Sequence, residues 1–498
     1  MKSLFTNIVL FVALLWSATT FAQTVVQVPP GNGTLNQAIQ DYIDNNGSVD
    51  QSVVFELEDG GIYILSATID FDFPLNIQAA PNSMVRPAIQ PIPANGGETF
   101  RAFRIRESVI LKGLYITTED ALGGRSDQII RVSNDGARVE IDNCHLDKAA
   151  QSALRIDNDN NKIYITNTII SNIINLQNPS NGRAIDDRGQ DIDTLWVENS
   201  TIYNLTARIL RDDGGLINWL RWNHTTCVNT GDRTLDIGEG LEVEVKNNLF
   251  INPAFLGDDD PDATAFQIDL SEDEVQDVTI SHNNFYADPA LEAIYDAINV
   301  DADPGDSVYV RGFINGPASD FIEAGGFTNT ITFIEPMFAN APATPTDYVS
   351  SFYDDPANAQ PLDDGDGGIG PGLIQLPFDF ALMNDSPLVT GGDNGQQLGD
   401  LNWGTFPTST QELDPNTIQF QLFPNPVADV VQLQFVLDEA APVQTVIFDA
   451  LGRTLLARQE QAPAGPIHQQ FDLSNLPQGY YFAKLTIGDR FLTAKIVK

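Results

Sequence analysis

A repeat written through the middle of the chain constrains its fold more than any other feature. Two apolar residues stand two apart, an Asn or His follows two later, and a further apolar residue comes three beyond that. The instances are Val139-Ile141-Asn143-Leu146, Ile163-Ile165-Asn167-Ile170, Leu195-Val197-Asn199-Ile202, Leu220-Trp222-His224-Cys227, Val243-Val245-Asn247-Phe250 and Val278-Ile280-His282-Phe285. Val109-Leu111-Gly113-Ile116 is a weaker forerunner. Alternation gives a strand with one buried side, the polar residue gives a bend, and the next apolar residue opens a second strand facing the same interior. Such units cannot bury their apolar faces alone, so they stack. The expected architecture is all-β, a right-handed parallel β-helix. Asn143, Asn167, Asn199 and Asn247 are expected to form an inward amide ladder, with His224 and His282 as structural rungs of it. Cys227 takes an inward slot and Cys144 follows a bend three coils earlier, roughly 14 Å away along the stack, too far for a disulfide.

A further strand is expected ahead of each repeat, with Leu154 and Ile156, Ile185, Leu210, Leu235 and Ile237, and Phe266 and Ile268 as its inward residues. These complete a triangular coil. Upstream, Thr34 stands before Leu35, Ala38, Ile39, Tyr42 and Ile43 at helical spacing, which predicts a capped amphipathic helix covering the N-terminal end of the sheets. The acidic loops 257–262 and 363–368 fall outside the coil.

Both chain ends read as transport signals. Lys2, the apolar run Ile8 to Trp16 and the small residues ending in Ala22 follow the order of a signal peptide, and the run is too short to span a bilayer. No later stretch reaches membrane-helix length, so no transmembrane helix is expected in the mature protein. At the other end stand Leu422-Phe423-Pro424-Asn425-Pro426, Phe448-Asp449-Ala450-Leu451-Gly452-Arg453 and Leu476-Pro477-Gln478-Gly479-Tyr480-Tyr481, before a terminal Lys495-Ile496-Val497-Lys498. This set resembles the type IX secretion sorting domain of Bacteroidetes. The resemblance implies a small antiparallel, Ig-like β-sandwich recognised by the export machinery, and a protein that is secreted or held at the cell surface. The segment Asp379 to Leu382 with Ser386-Pro387, Gly391-Gly392 and Leu398-Gly399-Asp400 resembles the closing coils of secreted β-helix proteins. The expected division is therefore a signal peptide at 1–22, a β-helix with N-terminal cap and closing coils at 23–405, a linker at 406–417 and the sorting domain at 418–498.

The formal net charge of −42 argues against nucleic acid as a partner. Basic residues are gathered in the middle: between Lys246 and Arg453 only Arg311 is basic. On the strand ahead of each repeat, the outward residues Arg155, Asp186, Arg211 and Asp236 alternate in sign and neutralise one another. Arg183, Arg208 and Arg233 form a second column of like charge, which calls for an anionic neighbour: either Asp187, Asp212 and Asp213, or an acidic ligand whose carboxylates or sulfates suit the guanidinium fork. The middle of the chain resembles the pectin-lyase-like superfamily, which includes lyases of pectin, alginate and chondroitin. That resemblance implies Arg188 and Arg211 as catalytic base or clamp. It implies Arg183, Arg208, Arg233 and Lys148 as substrate-binding groups, and Asp186, Asp187 and Asp212 as ligands of calcium. The departures are equally clear: the Gly-His-Gly and Arg-Ile-Lys motifs of polygalacturonases, the signature of pectate lyases and the Lys and Arg pair of chondroitinase-type enzymes are missing. The readings are an exported protein that binds or processes an acidic polysaccharide, a polysaccharide lyase with an Arg base and calcium, and a non-catalytic adhesin-like β-helix.

Overall fold

The computed structural model describes residues 23–94, 99–176, 178–268, 277–300, 302, 307–365, 373, 375–406, 411–412, 418–437, 440–449, 454–474, 476–487 and 490–498. The expected signal peptide at 1–22 lies outside them, as do most residues of the expected linker.

The repeat forms parallel coils. One face, sheet I, is nine strands running from Ile69–Phe71 to Gly312–Ile314, each hydrogen-bonded in parallel to the coil before and after. The other two faces belong to one eighteen-stranded network. Sheet II contains strands such as Arg138–Asp142 and Asn161–Thr166; sheet III contains strands such as His145–Ala149 and Ile169–Ile173. Between sheets II and III stands one residue in the left-handed region: Asn143, Asn167, Asn199, His224, Asn247 and His282, with φ between 48° and 60°. This conformation rotates the chain by a corner without a loop, and asparagine tolerates it better than most residues. The strands Ile192–Leu205 and Leu216–Thr230 run through the corner unbroken.

The bend residues do not form the inward ladder expected of them. Asn143 is exposed, and Asn167 and Asn199 are half-buried. The inward slot belongs to the next residue, the column Cys144, Thr168, Ser200, Thr225, Asn248 and Asn283. There Asn248 Nδ2 donates to Trp222 O at 3.0 Å and to Asn283 Oδ1 at 2.9 Å, and Thr168 Oγ1 donates to Ile141 O at 3.3 Å. In the left-handed bend the side chain leaves the coil, so the ladder shifts by one position. A true asparagine ladder lies five residues after the bends. Asn204 donates to Asn172 at 3.1 Å, Asn229 to Asn204 at 3.2 Å and Asn252 to Asn229 at 2.9 Å.

That second ladder is buried because later chain crosses it. Thr344 meets Asn252, Ala343 O accepts from Asn229, Asp363 O accepts from Asn204, and Gln375 donates to Arg86 O. A second strip follows the bends in the same backward sense: Asp393 on Asn247, Gly399 on His224, Asp400 on Thr201 and Asn402 on Asn199. Residues 393–402, part of the segment expected to close the stack as further coils, instead line its side.

The interior is a continuous apolar column, with Ile141, Ile165, Val197, Trp222, Val245 and Ile280 all fully buried. Helix α1 (Thr34–Asn46) adds Leu35 and Ile39 to that core, and its N-cap is Gly33 in the left-handed region, not a threonine side chain. The cysteines are free and buried, as expected. Burial pushes both thiols up to about 12, so neither is a ready nucleophile.

The chain divides into two compact units, the second comprising 337–339, 381–389 and 404–498. Its C-terminal part is two sheets. One is the antiparallel set Gln421–Phe423, Val430–Leu437 and Gly465–Asp472; the other is built from Ala441–Asp449, Thr454–Ala462, Tyr480–Ile487 and Arg490–Val497, with Gln411–Glu412 at its edge. Phe435 of the first sheet packs with Val443 and Leu485 of the second.

Candidate functional site

Sheet I carries the basic charge. Its outward column runs Asp70, Arg104, Arg131, Arg155, Asp186, Arg211 and Asp236, coil by coil. Three residues earlier come Arg101, Gln128, Ser152 and Arg183, with Arg208 and Arg233 in the following coils. The apolar alternation of each strand points the first column outward, and the parallel register stacks both columns, although Gln128, Ser152 and Arg183 of the second are buried.

Most of the guanidinium groups are already paired. Arg183 Nη1 lies 3.1 Å from Asp186, and Arg211 lies 3.4 Å from Asp186 and 2.7 Å from Asp213. Arg208 meets Asp232 at 2.9 Å and Asp236 at 2.5 Å, and Arg233 meets Asp236 at 3.0 Å. The like-charged column is thus neutralised from within, by Asp186, Asp232 and Asp236, not by Asp187 or Asp212. A different concentration of positive charge sits on earlier coils: burial lowers the Arg101 pKa, and Arg131 and Arg104 add to the effect.

Asp187 and Asp212 have another role. One residue beyond the register pairs Arg155–Asp186, Asp186–Arg211 and Arg211–Asp236, they take the slot that Val132, Ile156, Ile237 and Ile268 fill in other coils. Asp187 is fully buried and Asp212 is 8% exposed. Asp187 Oδ1 accepts from the backbone N–H of Gly189 and Asp213, at 2.9 and 3.0 Å. Asp212 accepts from Gly214, Gly238 and Glu239. Each carboxyl therefore staples its own turn to the next coil. Burial, with the neighbouring charge of Asp212, raises Asp187 to about 8, and burial raises Asp212 as well. Two stacked carboxylates in an apolar column cannot readily both ionise, so this arrangement favours one shared proton over two charges. The sequence signal that could have found them is two aspartates in a column of isoleucine and valine.

Arg188 follows Asp187 directly in the chain. It is exposed and adopts φ 61°, a left-handed conformation that is costly for a side chain without a local hydrogen bond. Of the arginines in the coils, it alone has no side-chain hydrogen bond or ion pair among the described residues. Exposed, strained and next to Asp187 in the chain, Arg188 is, among the described residues, the uncommitted guanidinium beside sheet I.

Lys148 is not part of this face. It lies on sheet III, 3% exposed, at 3.0 Å from Glu119 and 3.6 Å from Asp364. Its neighbour His145, fully buried, joins a network that the sequence did not reveal: His145 Nε2 lies 2.7 Å from Ser171 Oγ, which donates to Asp147, and the Tyr115 hydroxyl donates to the same carboxylate at 2.6 Å. Burial lowers His145 to about 4, so its ring is neutral.

The carboxylates expected as calcium ligands do not converge. Asp186 is committed to two arginines, the Asp212 oxygens accept backbone N–H groups, and among the described residues no group of three or more His, Cys, Asp or Glu side chains gathers as a metal cluster. Calcium takes six to eight oxygen ligands, and this set does not offer them. No helix among the described residues is long and apolar enough to cross a membrane.

Comparison with known proteins bears on the two parts of the chain unequally. No curated protein matches it. Among solved structures, the PL6-family alginate lyase AlyGC, in a mutant form, matches at a TM-score of 0.33 and 16% identity, over 53% of this chain and 40% of that chain. Residues 421–498 match the family of the secretion system C-terminal sorting domain. The chain therefore ends in a type IX sorting domain, which directs it to the cell surface or the extracellular space.

Proposed function

We propose that sheet I binds an acidic polysaccharide, with Arg188 as the principal contact and the arginines of the neighbouring coils as a rail along the polymer. The observation that carries this reading is the gathering of Arg101, Arg104, Arg131, Arg155, Arg183, Arg188, Arg208, Arg211 and Arg233 on or beside one sheet in a chain of net charge −42. Strands stacked about 4.8 Å apart present such groups at regular steps, which suits a repeating ligand. Arg188 serves as a clamp, because its planar fork of donors matches a carboxylate or sulfate. The group near it able to exchange a proton at neutral pH is the Asp187–Asp212 pair, and its burial favours binding over catalysis.

The alternative is the lyase reading, with Arg188 or Arg211 as the base. Incubation of the protein with pectate, alginate and chondroitin sulfate, followed by ultraviolet absorbance for an unsaturated uronate, separates the two. Retention in affinity gels without new absorbance or new reducing ends supports binding alone. Arg188→Gln should weaken retention by about tenfold, the loss of one charge-assisted contact. Arg188→Gly should weaken it equally while changing stability by less than about 1 kcal/mol, because relief of the left-handed strain offsets the added freedom of the unfolded chain. Retention unchanged in both variants would remove Arg188 from the site, and with it this reading.

A further inference from the structure

Sheet II has an outer face that the arginine rail does not use. Tyr164 and Trp196 occupy the same outward column on adjacent coils, and Trp219 stands in the next coil, one column over. All three are half-buried, with part of each side chain open to solvent. Tyr164 and Trp196 lie 6.4 Å apart at 36°, and Trp196 and Trp219 meet edge to face at 5.1 Å. The rings are held in place. The Trp196 indole N–H donates to Glu198 at 2.9 Å, Arg221 lies over the Trp196 ring at 4.7 Å, and Arg138 lies over Tyr164 at 4.2 Å.

Part of this arrangement braces the sheet: cation–π stacks and cross-strand aromatic pairs stabilise exposed strands. Bracing does not require three large rings gathered on the solvent side of consecutive coils, where smaller β-branched residues serve as well. The charges around the rings indicate what fits them. Arg221 is paired with Glu198 and Glu244, Lys162 with Asp193, and Arg138 with Glu140. Glu242 adds a further carboxylate opposite Trp219. Carboxylates thus outnumber cations, so an acidic polymer is repelled here. A ring face that Arg138 or Arg221 does not cover accepts the C–H side of a pyranose, and the fixed carboxylates and the paired guanidinium accept from and donate to its hydroxyl groups.

We infer that Tyr164, Trp196 and Trp219 form a stacking platform for an uncharged polysaccharide, separate from the arginine rail. The two faces share no residue, so this site stands whether or not sheet I binds an acidic glycan. The probe is a panel of soluble neutral polymers, β-glucan, xylan and mannan, tested on the full chain by affinity gel retardation and tryptophan fluorescence. At least one polymer should retard the protein and perturb its fluorescence. Trp196→Ala and Trp219→Ala should each weaken that retardation by about tenfold or more, as removal of a central aromatic contact does. Trp196→Phe and Trp219→Phe should retain most of it, which separates loss of a ring from loss of fold. Retention by anionic polymers should be unchanged in the tryptophan variants. The inference is overturned if no neutral polymer binds, or if the alanine variants bind as the parent does. It is also overturned if sedimentation reveals a self-association that Trp219→Ala abolishes, since the platform then belongs to a second copy of the chain.

Discussion

Asp187 and Asp212 stand where neighbouring coils place isoleucine or valine, and the proton they share links fold stability to pH. An unperturbed aspartate titrates near 3.8, whereas Asp187 in the folded chain titrates at about 8. Between these values the folded state holds a proton that the unfolded state has released, so this contribution to stability is complete below about pH 4 and is lost as pH rises through about 8. Asp400, raised by burial to about 6, acts in the same sense but is exhausted at lower pH. The interval from pH 7 to 8.5 therefore reports on the pair. Asp187→Asn keeps an oxygen for the N–H groups of Gly189 and Asp213 and supplies a permanent donor toward Asp212, in place of the shared proton. Thermal melts should then vary less over that interval, and the variant should melt at least about 2 °C above the parent at pH 8.5. A parent with a flat profile there, or a variant with the parent's slope, would mean that the carboxyls do not share a proton.

At the scale of elements, the buried ladder Asn172, Asn204, Asn229 and Asn252 ties the coils to the strip that crosses them. Asn204 sits at its centre, donating to Asn172 and to the carbonyl of Asp363 while accepting from Asn229. Asn204→Ala strands three buried polar partners and leaves an alanine at φ 56°, for an expected loss of about 3 kcal/mol. Asn204→Gly removes the same hydrogen bonds without the steric cost, so denaturant melts should rank the parent above both, with glycine the milder change. Equal stability of all three would make the ladder incidental. The coil repeat, its strands and the outward charge columns were readable from periodicity, because each coil repeats the same local pattern. The inward ladder was placed one residue early: spacing locates a bend but does not tell whether its residue points in or out, and the left-handed φ at Asn143 and its counterparts decides that. The second ladder was hidden for a different reason. Nothing local marks Asn172, Asn204, Asn229 and Asn252 as buried; residues 343–363 cover them, and that contact spans more than ninety residues of sequence. Lys148, expected as a substrate-binding group, is buried by partners distant in the chain, Glu119 and Asp364.

For the whole molecule, charge distribution sets how a glycan approaches. The net charge of −42 repels an acidic polymer at long range, while the arginines of sheet I attract it at contact. Screening acts on these two forces differently. At 0.01 M salt the Debye length is about 30 Å, so an approaching polymer feels most of the protein; at 0.1 M it is about 10 Å, and the rail is felt before the rest. Contacts at hydrogen-bond distance from half-buried guanidinium groups are screened less than either. Association of chondroitin sulfate or pectate should therefore speed up between about 0.01 and 0.1 M salt, and affinity should fall only at higher concentrations, in contrast to the monotonic loss of a uniformly basic protein. Neutral polymers on the sheet II platform should bind with little salt dependence throughout, since stacking on Trp196 and Trp219 carries no net charge. Surface-based kinetics across a salt series, run on the parent and on Arg188→Gln, tests both. A steady fall in association rate from the lowest salt upward would show that local attraction outweighs the global charge at every distance. An equal salt response of acidic and neutral polymers would show that one face binds both.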